Sequence, residues 1–170
     1  SENLFSFDNA MVLEGADVLG QPLGAEEHLC RDPQERLFHA GRWHDGLYLR
    51  AGASAEDRRQ WMEFQQELDR WTTWRDGQGR RAFAVPMAAG SDEAVVRGLD
   101  TISMAQWLDQ RGFDSPRLRW WVDYACRDDY GLRLEQTSAW AAIYYFCARI
   151  AEVGAAARPF VTWPEGNGRL

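Results

Sequence analysis

Helix-period and strand-period patterns both run through this chain of 170 residues, and three stretches decide its class. Trp61, Phe64, Leu68 and Trp71 fall at i, i+3, i+7 and i+10, which draws one apolar stripe along a helix. Glu35-Arg-Leu-Phe-His39 and Arg42-Trp-His-Asp-Gly-Leu-Tyr-Leu49 alternate about Ala40-Gly41, the pattern of a β-hairpin. Residues 139–152 are apolar almost all round, so a helix there needs neighbours on every side and should be the central one. The expected fold is α+β: a mainly helical domain carrying a small antiparallel hairpin.

Residues 1–10 resemble the remnant of a cleavable expression tag, with Glu2-Asn3-Leu4 and Asn9-Ala10 in matching places, and stand outside the fold argument. Residues 11–170 are then expected to form a single domain. Val12 to Asp32, with Gly15, Gly20, Pro22 and Gly24, reads as loop with room for one short helical turn. A two-stranded hairpin is marginal alone, so Leu37, Trp43 and Leu47 or Tyr48 should cover a helix or join a larger sheet.

Ser54-Ala-Glu-Asp57 has the form of a capping box, with acidic residues where the helix dipole favours them. The helix it opens should end at Asp76-Gly-Gln-Gly79. Arg81-Ala-Phe-Ala-Val-Pro86 reads as a short extended run or a strand cut off by Pro86, Ala88 to Ser91 as loop, and Asp92 to Leu99 as a short helix. Ser103-Met-Ala-Gln106 is a second capping box, opening a helix with Trp107 and Leu108 that stops at Gly112. Ser115-Pro116 supplies an N-cap and first helical position, and Leu118, Trp121, Val122, Ala125 and Cys126 then share a face as far as the break at Asp128-Asp129-Tyr130-Gly131. Thr137 or Ser138 caps the last helix, read as Ala139 to Glu152, and Phe160-Val-Thr-Trp163 is a strand-like run into a Gly-rich turn.

The composition, 45% hydrophobic and 26% charged, rules out wholesale disorder. A net charge of −7 argues against nucleic acid or an anionic membrane as partner, and no apolar run reaches the length of a membrane span. All 19 basic residues are arginine, which removes lysine Schiff-base chemistry from this chain. Cys30, Cys126 and Cys147 lack metal-ligand spacing, and the last two lie on apolar helical faces as buried thiols. His28, His39 and His44 are too scattered to suggest a metal centre. Most of the nine tryptophans belong to a core, with the remainder lining a pocket or an interface.

Arg127-Asp128-Asp129-Tyr130 is the densest candidate for chemistry. The two carboxylates beside an arginine could hold a cation or orient a substrate amine, with the Tyr130 hydroxyl as a donor. Equally, Asp128 or Asp129 could close an Asx turn while Arg127 bonds the free carbonyls of the helix end. Tyr144 and Tyr145, with Trp140, could present rings to a ligand or simply fill the core. No Gly-rich dinucleotide fingerprint, P-loop, GxSxG or HExxH occurs, so the chain taken alone is expected to be catalytically inert.

Leu118-Arg-Trp-Trp-Val-Asp-Tyr-Ala-Cys-Arg-Asp-Asp-Tyr-Gly131, Thr137-Ser-Ala-Trp-Ala141 and Thr162-Trp-Pro-Glu-Gly-Asn-Gly168, with weaker matches at Gly41-Arg-Trp43 and Arg80-Arg-Ala-Phe-Ala84, carry a resemblance. The chain resembles the substrate domain of bacterial FAD-dependent oxidoreductases of the flavin amine oxidase superfamily. That resemblance implies an excised substrate-binding domain, with FAD held in the intact protein by an N-terminal Rossmann part that is missing here. It implies substrate contacts from Trp120, Arg127, Asp128, Tyr130, Tyr144 and Tyr145, and a flavin border at Trp163, Pro164, Glu165, Gly166, Asn167 and Gly168. It assigns no catalytic residue. The implied chemistry of the intact protein is hydride transfer from a C–H bond to the flavin. Some members carry twin-arginine export signals. The implied partners are a small-molecule substrate and the flavin domain of the same chain, and an excised domain would self-associate through the surface it exposes. The rival reading is a stand-alone, Trp-rich module that binds a protein or a ligand.

Overall fold

Ser54 and Asp57 cap one another's backbone and open α1 at Ala55–Thr73, the longest helix among the described residues. The Ser54 hydroxyl accepts from the Asp57 N–H at 3.0 Å, and the Asp57 carboxylate accepts from the Ser54 N–H at 2.9 Å. In this computed structural model of the chain, residues 35–150 and 153 are described, with the backbone of three short strands at 5–6, 29–30 and 160–161. Among the described residues four further α-helices follow α1: α2 at Ala94–Arg97, running into a 3-10 turn at Gly98–Thr101, α3 at Met104–Gln110, α4 at Pro116–Tyr130 and α5 at Ala139–Cys147. Each cap foreseen at Ser103, Ser115 and Ser138 accepts the expected backbone N–H. The fold is α+β, helical with a small antiparallel hairpin.

The chain divides into two compact units, residues 1–34 with 156–170 and residues 35–155. In the first, strands β1 (Phe5–Ser6), β5 (Phe160–Val161) and β2 (Leu29–Cys30) form an antiparallel sheet with β5 in the middle. Residues 5–6 thus pair with the C-terminal segment although the sequence argument sets them aside.

In the second unit α5 touches α1, α3, α4 and the 3-10 turn, so it is central as its all-round apolarity requires. Ala139, Ile143 and Cys147 of α5, Phe64 of α1, Trp107 and Leu108 of α3, and Leu118 and Val122 of α4 are all fully buried. Phe64 meets Trp107, Phe113, Trp121 and Phe146 edge-on at 5.8–6.2 Å, the favourable arrangement for aromatic quadrupoles. Among the described residues no helix is long and apolar enough to cross a membrane.

Three expectations are corrected. The last helix stops at Cys147 rather than Glu152, because the Arg81 guanidinium takes the carbonyls of Cys147 at 2.8 Å, Ala148 at 3.3 Å and Ile150. Arg81 to Pro86 forms no strand: Ala82, Phe83 and Ala84 are buried as irregular chain against the helices, and Arg81 makes one isolated bridge to Arg75. The hairpin is present, β3 (Arg36–His39) and β4 (Arg42–Asp45), with Ala40 and Gly41 both in the left-handed region that suits its turn. Its Trp43, however, is 66% exposed and covers no helix. Phe38 and Trp43 pair directly across the ladder and shield only each other, ring centroids 5.3 Å apart. Tyr48 makes the expected contact, stacking on Trp61 of α1 at 3.8 Å with 6% exposure.

Candidate functional site

Helix α4 supplies most of the candidate residues, and its ends are fixed by local sequence. Ser115 caps the start, Pro116 fits the first turn, and Gly131, at φ +67, ends it with its N–H on the Arg127 carbonyl at 3.0 Å. A side chain there would meet the left-handed penalty, so Gly131 rather than an Asx turn closes the helix.

Residues four apart then set the surface. Trp120 stacks on Tyr124, centroids 5.9 Å apart, and Asp128 continues the same row. Arg127 turns back to Asp123, Nε to Oδ2 at 2.8 Å, while Asp123 Oδ1 accepts from the Leu134 N–H at 3.1 Å. Arg127 therefore does not bond the terminal carbonyls, which corrects the helix-end role considered for it: Asp123, one turn earlier, is the nearer acceptor. Trp120, 40% exposed, and Arg127 do share a groove of about 470 Å³ with Arg119, Asp123 and Arg133. Arg119 is held there by Asp109 at 2.7 Å and the Phe113 carbonyl at 3.1 Å.

Tyr130 points inward. Its hydroxyl donates to the Ala141 carbonyl at 2.7 Å, and burial first, then the Asp129 charge, push the phenol well above the usual tyrosine range. Tyr144 and Tyr145, adjacent on α5, face different neighbours: Tyr144 stacks on Trp140 at 5.0 Å and meets Phe83 edge-on at 6.3 Å, whereas Tyr145 meets Phe146 edge-on and lies 5.9 Å beneath the Arg149 guanidinium.

Asp128 and Asp129 are exposed, and neither takes part in an ion pair among the described residues. Their charges nevertheless reach rings from two helices. Burial raises the Tyr145 phenol, with Asp128, Asp129 and Glu35 adding to it and Arg149 opposing; burial raises Tyr124, with Asp128 and Glu35 adding. The structure thus sets Asp128 in one row of α4 with Trp120 and Tyr124, leaves Tyr145 of α5 beneath Arg149, puts Trp120 and Arg127 in a groove, and sends Tyr130 and Tyr144 to structural contacts.

Tyr124 and Asp123 are the neighbours of these candidates that sequence reading missed, and the i, i+4 spacings Trp120–Tyr124 and Asp123–Arg127 would have found both. The proposed flavin border, Trp163 to Gly168, lies outside the described residues. Within them α1, α3, α4 and α5 all start from serine caps. Among the described residues no group of three or more His, Cys, Asp or Glu is placed to hold a metal ion. Comparisons with protein-family models, with curated proteins and with solved structures give no match for the chain.

Proposed function

We propose that this chain is the substrate-binding part of a FAD-dependent, amine-oxidase-like oxidoreductase, inert by itself, and that it receives the substrate amine at the acidic, aromatic face of α4 and α5. The supporting observation is geometric: Asp128 is exposed in the same row of α4 as the stacked Trp120 and Tyr124, without an ion-pair partner among the described residues. A protonated amine would be drawn to such a surface by the carboxylates and by ring faces together, as the Arg149 guanidinium is drawn over Tyr145 at 5.9 Å. Exposed contacts of these kinds are worth only about 0.2–1 kcal/mol each, so the chain alone should bind an amine at millimolar concentration or weaker. Redox chemistry would come from FAD held by the remainder of an intact protein.

The experiment is an NMR titration of the chain with 2-phenylethylamine and, separately, with the neutral 2-phenylethanol. Saturable shifts at Tyr124, Asp128 and Tyr145 with the amine, lost in Asp128→Asn, are the expected result. Equal responses to amine and alcohol would remove the proposal's basis.

The second reading, a stand-alone binding module, is favoured by the Phe38–Trp43 pair, whose rings are 57% and 66% exposed on the hairpin. A small molecule fits that flat pair poorly, and a protein surface fits it better.

A further inference from the structure

Arg50 and Arg58 flank an apolar groove of about 390 Å³ between the segment that leaves the hairpin and the first two turns of α1. Tyr48, stacked on Trp61 at 3.8 Å, lies beneath it, and Ala53, Ala55 and Met62 complete the lining. Met62 is 58% exposed, an apolar side chain left in water at the groove's edge. No carboxylate lines the groove.

Neither guanidinium is ion-paired among the described residues. Arg58 donates from Nη1 to the Ala53 carbonyl at 2.6 Å, which fixes its head at the rim. Arg50 has no hydrogen bond from its side chain there, yet its charge reaches the Tyr48 ring below. Other arginines of α1 are neutralised: Arg59 by Glu56 and Glu63, and Arg70 by Glu67. In a chain of net charge −7, this is a place where positive charge and solvent-exposed apolar surface coincide without a counter-charge in the lining.

We propose that this groove binds a small organic carboxylate with an aromatic or aliphatic body, its carboxylate on Arg50 and Arg58 and its body over Trp61 and Met62. Planar guanidinium groups recognise carboxylates through paired N–H donors, and the volume lies at the small end of the roughly 300–1,000 Å³ typical of ligand pockets. An amine is repelled from the same groove, so this site is separate from the amine face and stands whether or not that reading holds.

The test is isothermal titration calorimetry of the 170-residue chain with 4-phenylbutyrate and with its uncharged amide, 4-phenylbutyramide. The carboxylate should bind saturably, the amide at least about tenfold more weakly, as loss of a charge-assisted contact requires. Arg50→Glu should weaken the carboxylate by a similar factor, and Met62→Glu should do the same through the body of the ligand. Both positions are exposed, so far-UV circular dichroism should be unchanged. Equal affinity for acid and amide, unaltered affinity in Arg50→Glu and Met62→Glu, or no saturable binding at about 10 mM ligand would each overturn the proposal.

Discussion

The Tyr130 hydroxyl donates to the Ala141 carbonyl at 2.7 Å and fastens the last turn of α4 to the first turn of α5. A residue that reads as a substrate-facing donor in sequence is thereby a fastener between two helices. Tyr130→Phe should lower stability by about 1 kcal/mol, the net value of one such hydrogen bond, as measured by urea denaturation.

Burial also raises the phenols of Tyr48, Tyr124, Tyr130 and Tyr145. A raised folded-state pKa means that the unfolded chain loses its protons first. These phenols therefore leave stability unchanged below the ordinary tyrosine value of about 10 and erode it as pH rises beyond that. Urea midpoints should fall above about pH 10, and less steeply in Tyr130→Phe.

Asp76 behaves in the opposite sense. Burial alone would raise its carboxyl, but hydrogen bonds from Ser91, from the Arg80 side chain and from the N–H groups of Arg80 and Gln78 outweigh it and bring the pKa down to about 2. The unfolded chain then binds the proton more readily, so this contribution is full above the ordinary aspartate value near 4 and disappears as pH falls towards about 2. The difference in thermal midpoint between the parent chain and Asp76→Asn should shrink over that interval.

Phe64, surrounded edge-on by four rings, has little room for its neighbours to relax into. Phe64→Ala should cost about 3–5 kcal/mol by calorimetry or denaturant unfolding, the range for a large cavity in a packed core.

Cys126 and Cys147 are buried, and burial pushes each thiol up to about 11. In a Cys30→Ser background neither should react with a disulfide reagent at pH 8, and both should react in denaturant.

Caps and periodicity were legible because they are local. Ser54, Ser103, Ser115 and Ser138 act within three residues of themselves, and the stripe of α1 needs only its own spacing. What escaped depends on distant partners. Gln60 looks like surface yet is buried, because its amide donates to Asp114 and accepts from the Ser115 N–H at 2.8 Å, joining α1 to the start of α4. The end of α5 is set by Arg81, more than sixty residues earlier. At the candidate site the same division holds: the pairing of Arg127 with Asp123 is written in a local i, i+4 spacing, whereas the bond from Tyr130 to the Ala141 carbonyl depends on the packing of α5 on α4.

The most direct test of the oxidoreductase reading is the visible absorption spectrum of the complete gene product, purified without added cofactor. The account predicts twin flavin bands that bleach when a primary or secondary amine is added under exclusion of oxygen. A folded protein that stays colourless with added FAD would contradict it.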